Sequence, residues 1–191
     1  MSSSIAIVKW RGSCPSPPRA TAAGGWSAAW PAPRRSAATS RRRSRLPTPG
    51  SRTPRDVKYL LDTQAWLWSV LDHPRLSRRA RVALRAVPAQ ERVGIAAISL
   101  KEAAWHLARG RVVVDEDFGP WPLWLRTAAS SPHIEVLPLT VDVAIESEQL
   151  GDSFPPDPAD RLIAATARVQ DLTLITSDRH IQKSGAVRTL W

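Results

Sequence analysis

The sequence predicts an α/β fold, a parallel sheet with helices on both faces, and three observations support this prediction. Short hydrophobic runs alternate with helical segments along residues 57–191, in the order that parallel strands and crossover helices require. These residues carry near-zero net charge, because residues 1–56 hold eleven of the 27 basic residues and one of the 17 acidic residues. Their length, about 135 residues, is enough to bury the core of one domain.

The first elements follow from hydrophobic runs and from the residues that start and stop helices. Residues 58–61 form a short apolar run that predicts a strand, and the helix predicted at 63–71 ends before Pro74, which cannot continue a helix. Ser77 is a typical N-cap for a helix at 78–86. A second strand is predicted at 93–98, followed by a helix at 99–109 that Gly110 ends.

The remaining elements continue the alternation. Pro120 and Pro122 restrict the start of a helix predicted at 118–129, and a strand at 134–137 and a helix at 140–150 follow. Asp157 is the expected N-cap and Pro158 the first residue of a helix that reaches residue 170. A strand at 172–176, a short helix near 179–183 and a last strand at 187–190 complete the prediction.

Residues 1–56 form a separate region rich in Arg, Pro, Ser and Ala, without helical or strand periodicity. We expect this region to be disordered. One interpretation is a basic arm that adds affinity for nucleic acid, since clustered arginines release counterions from phosphates. The other is a segment that was never selected to fold, including one translated upstream of the true start.

Several function classes are excluded by composition. Cys14 is the only cysteine and lies outside residues 57–191, so thiol catalysis and a cysteine zinc site are not expected in the domain. The sequence lacks an apolar run long enough for a membrane helix and an apolar leader at its start, which favours a cytoplasmic protein with no membrane partner. The strained Gly-x-Ser-x-Gly turn of a serine hydrolase is also absent.

Four acidic residues lie where a predicted strand ends or a predicted helix begins. They are Asp62, Glu102, Asp160 and Asp178. Because ligands of parallel sheets bind at the carboxyl ends of the strands, we expect these four carboxylates to meet at one edge. Clustered carboxylates without a base require a divalent cation, and hydrated Mg²⁺, with Mn²⁺ as the second choice, prefers such oxygen ligands. The pattern indicates a metal-dependent phosphodiesterase.

Each acid also has a purely structural interpretation. Glu102 lies three residues after Ser99, as in a capping box, where the carboxylate only accepts a hydrogen bond from the cap amide. Asp160 lies in a first helical turn, where the helix dipole favours an acid, and Asp62 and Asp178 can cap the helices that follow them. Capping does not explain why all four acids fall along one sheet.

Four segments in this order resemble the PIN-domain family, and most closely its VapC-type toxins. They are Tyr-Leu-Leu-Asp-Thr-Gln-Ala-Trp-Leu-Trp at 59–68, Ile-Ser-Leu-Lys-Glu-Ala-Ala-Trp at 98–105, Asp-Pro-Ala-Asp-Arg-Leu-Ile-Ala-Ala-Thr-Ala at 157–167 and Leu-Thr-Leu-Ile-Thr-Ser-Asp at 172–178. The resemblance covers residues 57–191. It implies a metal-dependent endoribonuclease that leaves a 5′-phosphate and a 3′-hydroxyl.

The resemblance also assigns roles to individual residues. Asp62, Glu102, Asp160 and Asp178 match the family's acidic quartet, which is catalytic and binds the metal. Thr176 matches a supporting hydroxyl, and Asp157 is expected to support the site as a helix cap rather than as a ligand. Arg161 and Arg179 each follow a site acid and are candidates for binding substrate phosphate, or else ordinary surface arginines.

The resemblance further implies an RNA substrate, such as a tRNA or rRNA stem-loop, a cognate antitoxin that inhibits the enzyme, and a homodimer. The sequence identifies neither the RNA target nor the antitoxin. The alternative function is a catalytically inactive PIN-like module that binds RNA or protein. A phosphate-accepting receiver domain also places acids at strand ends, but the adjacent acidic pair after its first strand is missing here.

Overall fold

The computed structural model describes residues 57–115 and 118–191. The predicted segment 1–56 lies outside the described residues. The described chain alternates between strands and helices, in the order β1 Val57–Leu61, α1 Thr63–Val70, α2 Arg78–Arg85, β2 Arg92–Ala96, α3 Ala97–Ala108, α4 Trp121–Ala129, β3 Ile134–Leu137, α5 Val141–Glu148, α6 Pro158–Val169, β4 Thr173–Ile175, α7 Arg179–Ser184 and β5 Thr189–Leu190. This order confirms the predicted fold class.

The five strands form one parallel sheet in the order β3-β2-β1-β4-β5. β1 is therefore central, with Leu61 paired to Ile95 of β2 on one side and to Ile175 of β4 on the other. Since all strands are parallel, the carboxyl ends of β1, β2 and β4 lie side by side. That edge is where the chain enters α1 and α3 and approaches α7.

Alternate strand residues face two separate apolar clusters, one on each side of the sheet. Leu61, Ile95 and Ile175 pack on the side that also contains Trp66 of α1 and Trp124 of α4. The opposite cluster consists of Leu60, Ala96, Leu150, Phe154, Ile163, Ala164, Ala167, Leu172, Leu174 and Ile181. Helices thus cover both faces, as predicted.

Most predicted boundaries differ from the observed ones by a few residues, and one difference matters for function. β2 ends at Ala96 and α3 begins at Ala97, whereas the sequence predicts a strand to Ile98 and a helix from Ser99. The N-cap, Ala96, has no side chain that can mark the boundary. The continuous apolar run therefore concealed the point at which the strand becomes a helix.

Proline and glycine set other boundaries. α4 begins at Trp121 rather than at residue 118, with Pro120 as its N-cap and Pro122 in its first turn. Both rings fit the first turn, where no amide donor is needed. Gly110 follows α3 with a φ of +63°, the left-handed conformation that was predicted for a helix stop. Among the described residues, we find no helix of sufficient length and apolarity to cross a membrane.

Candidate active site

The carboxyl edge of the sheet collects the beginnings of four helices. α1 and α3 start directly after β1 and β2, α7 starts shortly after β4, and α6 runs back across the sheet to the start of β4. Each helix presents the unpaired amides and the positive end of its dipole toward this edge. An anionic side chain is favoured at each of these positions.

Three aspartates occupy N-cap positions at this edge. Asp62 accepts a hydrogen bond from the amide of Ala65 at 2.6 Å through its Oδ1 atom. The Oδ1 of Asp157 accepts from the amide of Asp160 at 3.2 Å, and also from that of Ala159. Asp178 accepts from the amides of His180 and Ile181. The capping interpretation is thus correct for Asp62, Asp157 and Asp178, but it accounts for one oxygen of each carboxylate.

The capping-box interpretation of Glu102 is wrong. Because α3 begins at Ala97, Ser99 lies inside the first turn of the helix and is fully buried. The hydroxyl of Ser99 has no hydrogen-bond partner among the described residues. Glu102 instead accepts a hydrogen bond from the hydroxyl of Thr63, with 2.6 Å between Thr63 Oγ1 and Glu102 Oε2. A side chain of α1 therefore orients a carboxylate of α3.

Asp160 reaches the edge because of the small residues behind it on α6. Ile163, Ala164 and Ala167 are buried in the apolar cluster on one face of the sheet. The alanines allow the helix to approach the strands closely. Burial, and then repulsion from four neighbouring carboxylates, raises the pKa of Asp160, so these carboxylates lie close enough to interact. We refer to the interacting residues as the site acids: Asp62, Glu102, Asp157, Asp160 and Asp178.

Burial and the neighbouring carboxylates raise the pKa values of three site acids. The pKa of Asp160 is raised to about 7, mainly by burial and in addition by the four neighbouring carboxylates. Burial is also the largest cause for Asp62, whose pKa rises to about 6 although hydrogen bonds from the Ala65 amide and the Thr176 hydroxyl oppose the shift. The pKa of Glu102 is raised by burial and by Asp157, and lowered by the Thr63 hydrogen bond.

Thr176 supports two site acids at once. Its side chain is fully buried and forms the hydrogen bond to Asp62 that lowers the pKa of that carboxyl. The same Oγ1 accepts from the amide of Asp178 at 3.0 Å. Gln182 Nε2 in turn donates to the carbonyl of Thr176. The position predicted for a supporting hydroxyl thus links the end of β1 to the start of α7.

The two predicted phosphate-binding arginines have different surroundings. The Nε atom of Arg161 donates to the carbonyl of Ser147 at 2.9 Å, and its guanidinium lies 5.9 Å from the Phe154 ring centroid. These contacts direct Arg161 toward α5. Arg179 is exposed at the start of α7, directly after Asp178. Of the two, Arg179 is the more exposed.

The donor set fits a hard divalent cation in chemistry and charge. All five site acids offer carboxylate oxygens, the ligands that Mg²⁺ and Mn²⁺ prefer. None of the four ion pairs among the described residues involves a site acid. Within the described residues, however, no group of three Asp, Glu, His or Cys side chains has a geometry that could hold a metal ion.

The comparison with protein families decides the identity of the fold. The PIN domain model matches residues 59–186, which include β2, β3, β4, most of β1 and all five site acids. The chain belongs to the PIN-domain family. It is 34% identical over 134 residues to ribonuclease VapC22 of Mycobacterium tuberculosis, an alignment that covers 69% of this chain and 97% of the relative. The predicted resemblance to the VapC-type branch is confirmed.

Solved structures support the same PIN fold. VapBC2 of Rickettsia felis, bound to a DNA fragment from its promoter, superposes with a TM-score of 0.53 at 16% identity, covering 70% of this chain and 97% of that chain. A toxin–antitoxin complex from Klebsiella pneumoniae superposes with a TM-score of 0.50 at 20% identity and the same coverage. At these identities, the likeness concerns the fold alone.

Sequence reasoning missed one residue of the site. Thr63 is 5% exposed and makes the hydrogen bond that orients Glu102, but the sequence pattern identifies it only as the first residue of a helix. A hydroxyl directly after the first acid was the available signal. It gave no partner, because Glu102 lies 39 residues farther along the chain.

Proposed function

We propose that residues 57–191 form a metal-dependent endoribonuclease that acts as the toxin of a toxin–antitoxin pair. The observation that carries the proposal is the collection of five carboxylates at one sheet edge without a basic partner among the described ion pairs. The similarity to a ribonuclease of the VapC type, over nearly the whole length of that relative, supports RNA as the substrate.

We assign Mg²⁺, or Mn²⁺ in its place, to Asp62, Asp160, Asp178 and Glu102. The raised pKa values of Asp62 and Asp160 support this assignment, since a cation would relieve the repulsion that contributes to them. Asp157 remains a supporting residue, because its Oδ1 holds two amides of α6. When bound, the metal would neutralise negative charge on the phosphoryl oxygens and lower the pKa of the attacking water.

The protein side chains then have distinct tasks. Glu102 orients the attacking water and accepts its proton, since its carboxylate is held by Thr63 and burial raises its pKa. Thr176 keeps Asp62 and Asp178 in register. Arg179, exposed beside the site, contacts a substrate phosphate. The expected products carry a 5′-phosphate and a 3′-hydroxyl.

The proposed partners are an RNA such as a tRNA or rRNA stem-loop, a cognate antitoxin and a second copy of the chain. The structural neighbour from Klebsiella pneumoniae is a toxin–antitoxin complex, which supports the antitoxin. Since the proposed substrate is RNA, we place the activity in the cytoplasm. Light scattering on the purified protein would test the homodimer, and a monomeric mass at working concentration would contradict it.

The test of the function is cleavage of total cellular RNA by the wild-type chain and by Asp62→Asn, followed by sequencing of the new 5′ ends. We expect a small set of cuts that requires Mg²⁺ or Mn²⁺, disappears with EDTA and is absent in the variant. Cuts that persist in Asp62→Asn would contradict the mechanism. A folded wild-type protein that binds metal and RNA but makes no cuts would support the alternative function, an inactive binding module.

A shortened chain tests the proposed domain limits. If residues 57–191 are the complete nuclease, a protein that begins at Val57 should fold and cut the same sites at the same rate as the full chain. Residues 1–56 carry the whole net charge of +10, so a real RNA-binding arm would reveal itself differently. Its removal would weaken RNA binding and reduce the dependence of binding on salt.

A further inference from the structure

Two arginines lie over one tryptophan ring on the helix that carries Glu102. The guanidinium carbon of Arg109 is 4.6 Å from the centroid of the Trp105 ring, and that of Arg111 is 4.0 Å from it. Arg109 is exposed, and Trp105 and Arg111 are partly exposed. The proposed nuclease mechanism uses none of these three residues.

A row of side chains along α3 begins beside the candidate active site. Lys101, Trp105 and Arg109 are spaced four residues apart on α3, so they lie along one side of the helix, and Lys101 directly precedes Glu102. The positive charge of Lys101 lowers the pKa of Glu102, which places the start of this row within electrostatic reach of the site. We call Lys101, Trp105, Arg109 and Arg111 the α3 strip.

No ion pair between described residues involves the strip. The ion pairs of the described residues involve four other arginines, Arg81, Arg92, Arg168 and Arg188. Two guanidiniums lie over the same ring. A guanidinium held over an aromatic ring by cation–π attraction still carries N–H groups that can donate to an acceptor.

We infer that the α3 strip binds the substrate strand next to the cleavage site, with Arg109 and Arg111 on phosphates and the Trp105 ring holding the two guanidiniums in place. Arginine forks bind phosphate oxygens in pairs. Arg109 lies seven residues beyond Glu102, roughly 10 Å along the helix. This inference rests on the proposed function and names the strand-binding surface of the same site.

The test measures RNA binding without cleavage. The full chain in EDTA is titrated against a labelled short single-stranded RNA of mixed sequence, and fluorescence anisotropy gives the Kd at several salt concentrations. Arg109→Gln/Arg111→Gln is compared with Arg78→Gln/Arg79→Gln, which removes two exposed charges from α2 instead. We expect the first variant to raise the Kd about tenfold and to lower the salt slope by about 1.4, and the second to change both much less.

Substitutions at Trp105 test whether its ring positions the two guanidiniums. Trp105→Phe keeps a ring and should bind RNA within about threefold of the wild type, whereas Trp105→Ala should bind more weakly than Trp105→Phe at the same thermal stability. Equal losses in the two arginine variants would overturn the inference by reducing the strip to general electrostatics. Unchanged RNA binding together with weakened binding of an acidic protein partner would also overturn it.

The inference and the proposed function fail in different ways. If Arg109→Gln/Arg111→Gln binds RNA normally while the metal-dependent cuts still disappear in Asp62→Asn, the strip is wrong and the nuclease stands. If RNA binding depends on the strip while the wild-type chain makes no cuts, the strip stands and the nuclease is wrong.

Discussion

Acidic side chains have different interaction partners in two regions of this molecule. Away from the sheet edge, four acids each form an ion pair with an arginine: Asp72, Glu135, Glu146 and Asp171. At the carboxyl edge, the five site acids take no part in these pairs, and several are buried beside one another. The chain contains sixteen basic residues in 57–191, so arginine is not in short supply. The difference teaches that the site acids, unlike the other four, have no arginine ion pair among the described residues, as the metal site that we propose requires.

Breaking the edge should have the largest effect. Asp160→Asn removes a charge that we assign to metal binding, and we expect RNA cleavage to fall at least about 10³-fold, which corresponds to about 4 kcal/mol of lost transition-state stabilisation. Asp72→Asn is the matched control, because it removes the same charge from an acid paired with Arg81. Cleavage rates and growth of cells expressing each variant are the measurements. An active Asp160→Asn, or an inactive Asp72→Asn, would remove the contrast between the two regions.

Without metal, the site acids should make the protein less stable as the pH rises. The pKa of Asp160 is raised from 3.8 to about 7 and that of Asp62 to about 6. A raised carboxyl pKa means that the folded state binds more protons than the unfolded state, so stability is fully present below pH 4 and is lost as pH rises toward 7. In EDTA, we expect these groups to lower the Tm by roughly 5 °C or more between pH 4.5 and pH 7.

Two comparisons make this prediction specific. Mn²⁺ should raise the Tm at pH 7 and have little effect at pH 4.5, where protons compete for the same oxygens. Asp160→Asn in EDTA should be more stable than the wild type at pH 7, since the asparagine side chain carries no charge beside the other four carboxylates. A wild-type Tm in EDTA that is insensitive to pH and to Mn²⁺ would mean that the site acids do not repel one another.

The hydrogen bond between Thr63 and Glu102 should have an intermediate effect. Thr63→Val keeps the shape of a buried side chain but removes the donor 2.6 Å from Glu102. Glu102 then loses its orientation, and we expect kcat to fall roughly tenfold with KM nearly unchanged. Thr63→Ser should restore most of the rate. A matching loss in both variants, or a change confined to KM, would show that Thr63 is needed for packing or binding rather than for positioning Glu102.

The sequence was sufficient for the features that depend on local chemistry. Pro158 after Asp157 predicts the start of α6, Ser77 predicts the start of α2, and Gly110 predicts the end of α3. The alternation of apolar runs and helices was sufficient for the parallel sheet. Each of these signals lies within a few residues of the feature that it predicts.

The features that the sequence did not predict depend on contacts between distant segments. The Thr63–Glu102 bond joins two helices, and the two arginines over Trp105 depend on how the chain turns after Gly110. Ser99 looked like a cap because a serine and a glutamate were correctly spaced, yet Ala97 already belongs to the helix. Local spacing cannot distinguish these cases, since the apolar residues 95–98 fit a strand and a helix equally well.

The smallest effect is expected at an exposed ion pair away from the sheet edge. The pair between Arg188 and Asp171 has side chains that are 62% and 89% exposed, so water screens their attraction. We expect Asp171→Asn to change the Tm by less than about 2 °C and to leave the cleavage rate unchanged. Differential scanning fluorimetry and the RNA cleavage assay would measure both. A large loss of stability would mean that this ion pair contributes more to the fold than its exposure allows. The two regions would then differ in their contribution to stability as well as in the proposed metal binding.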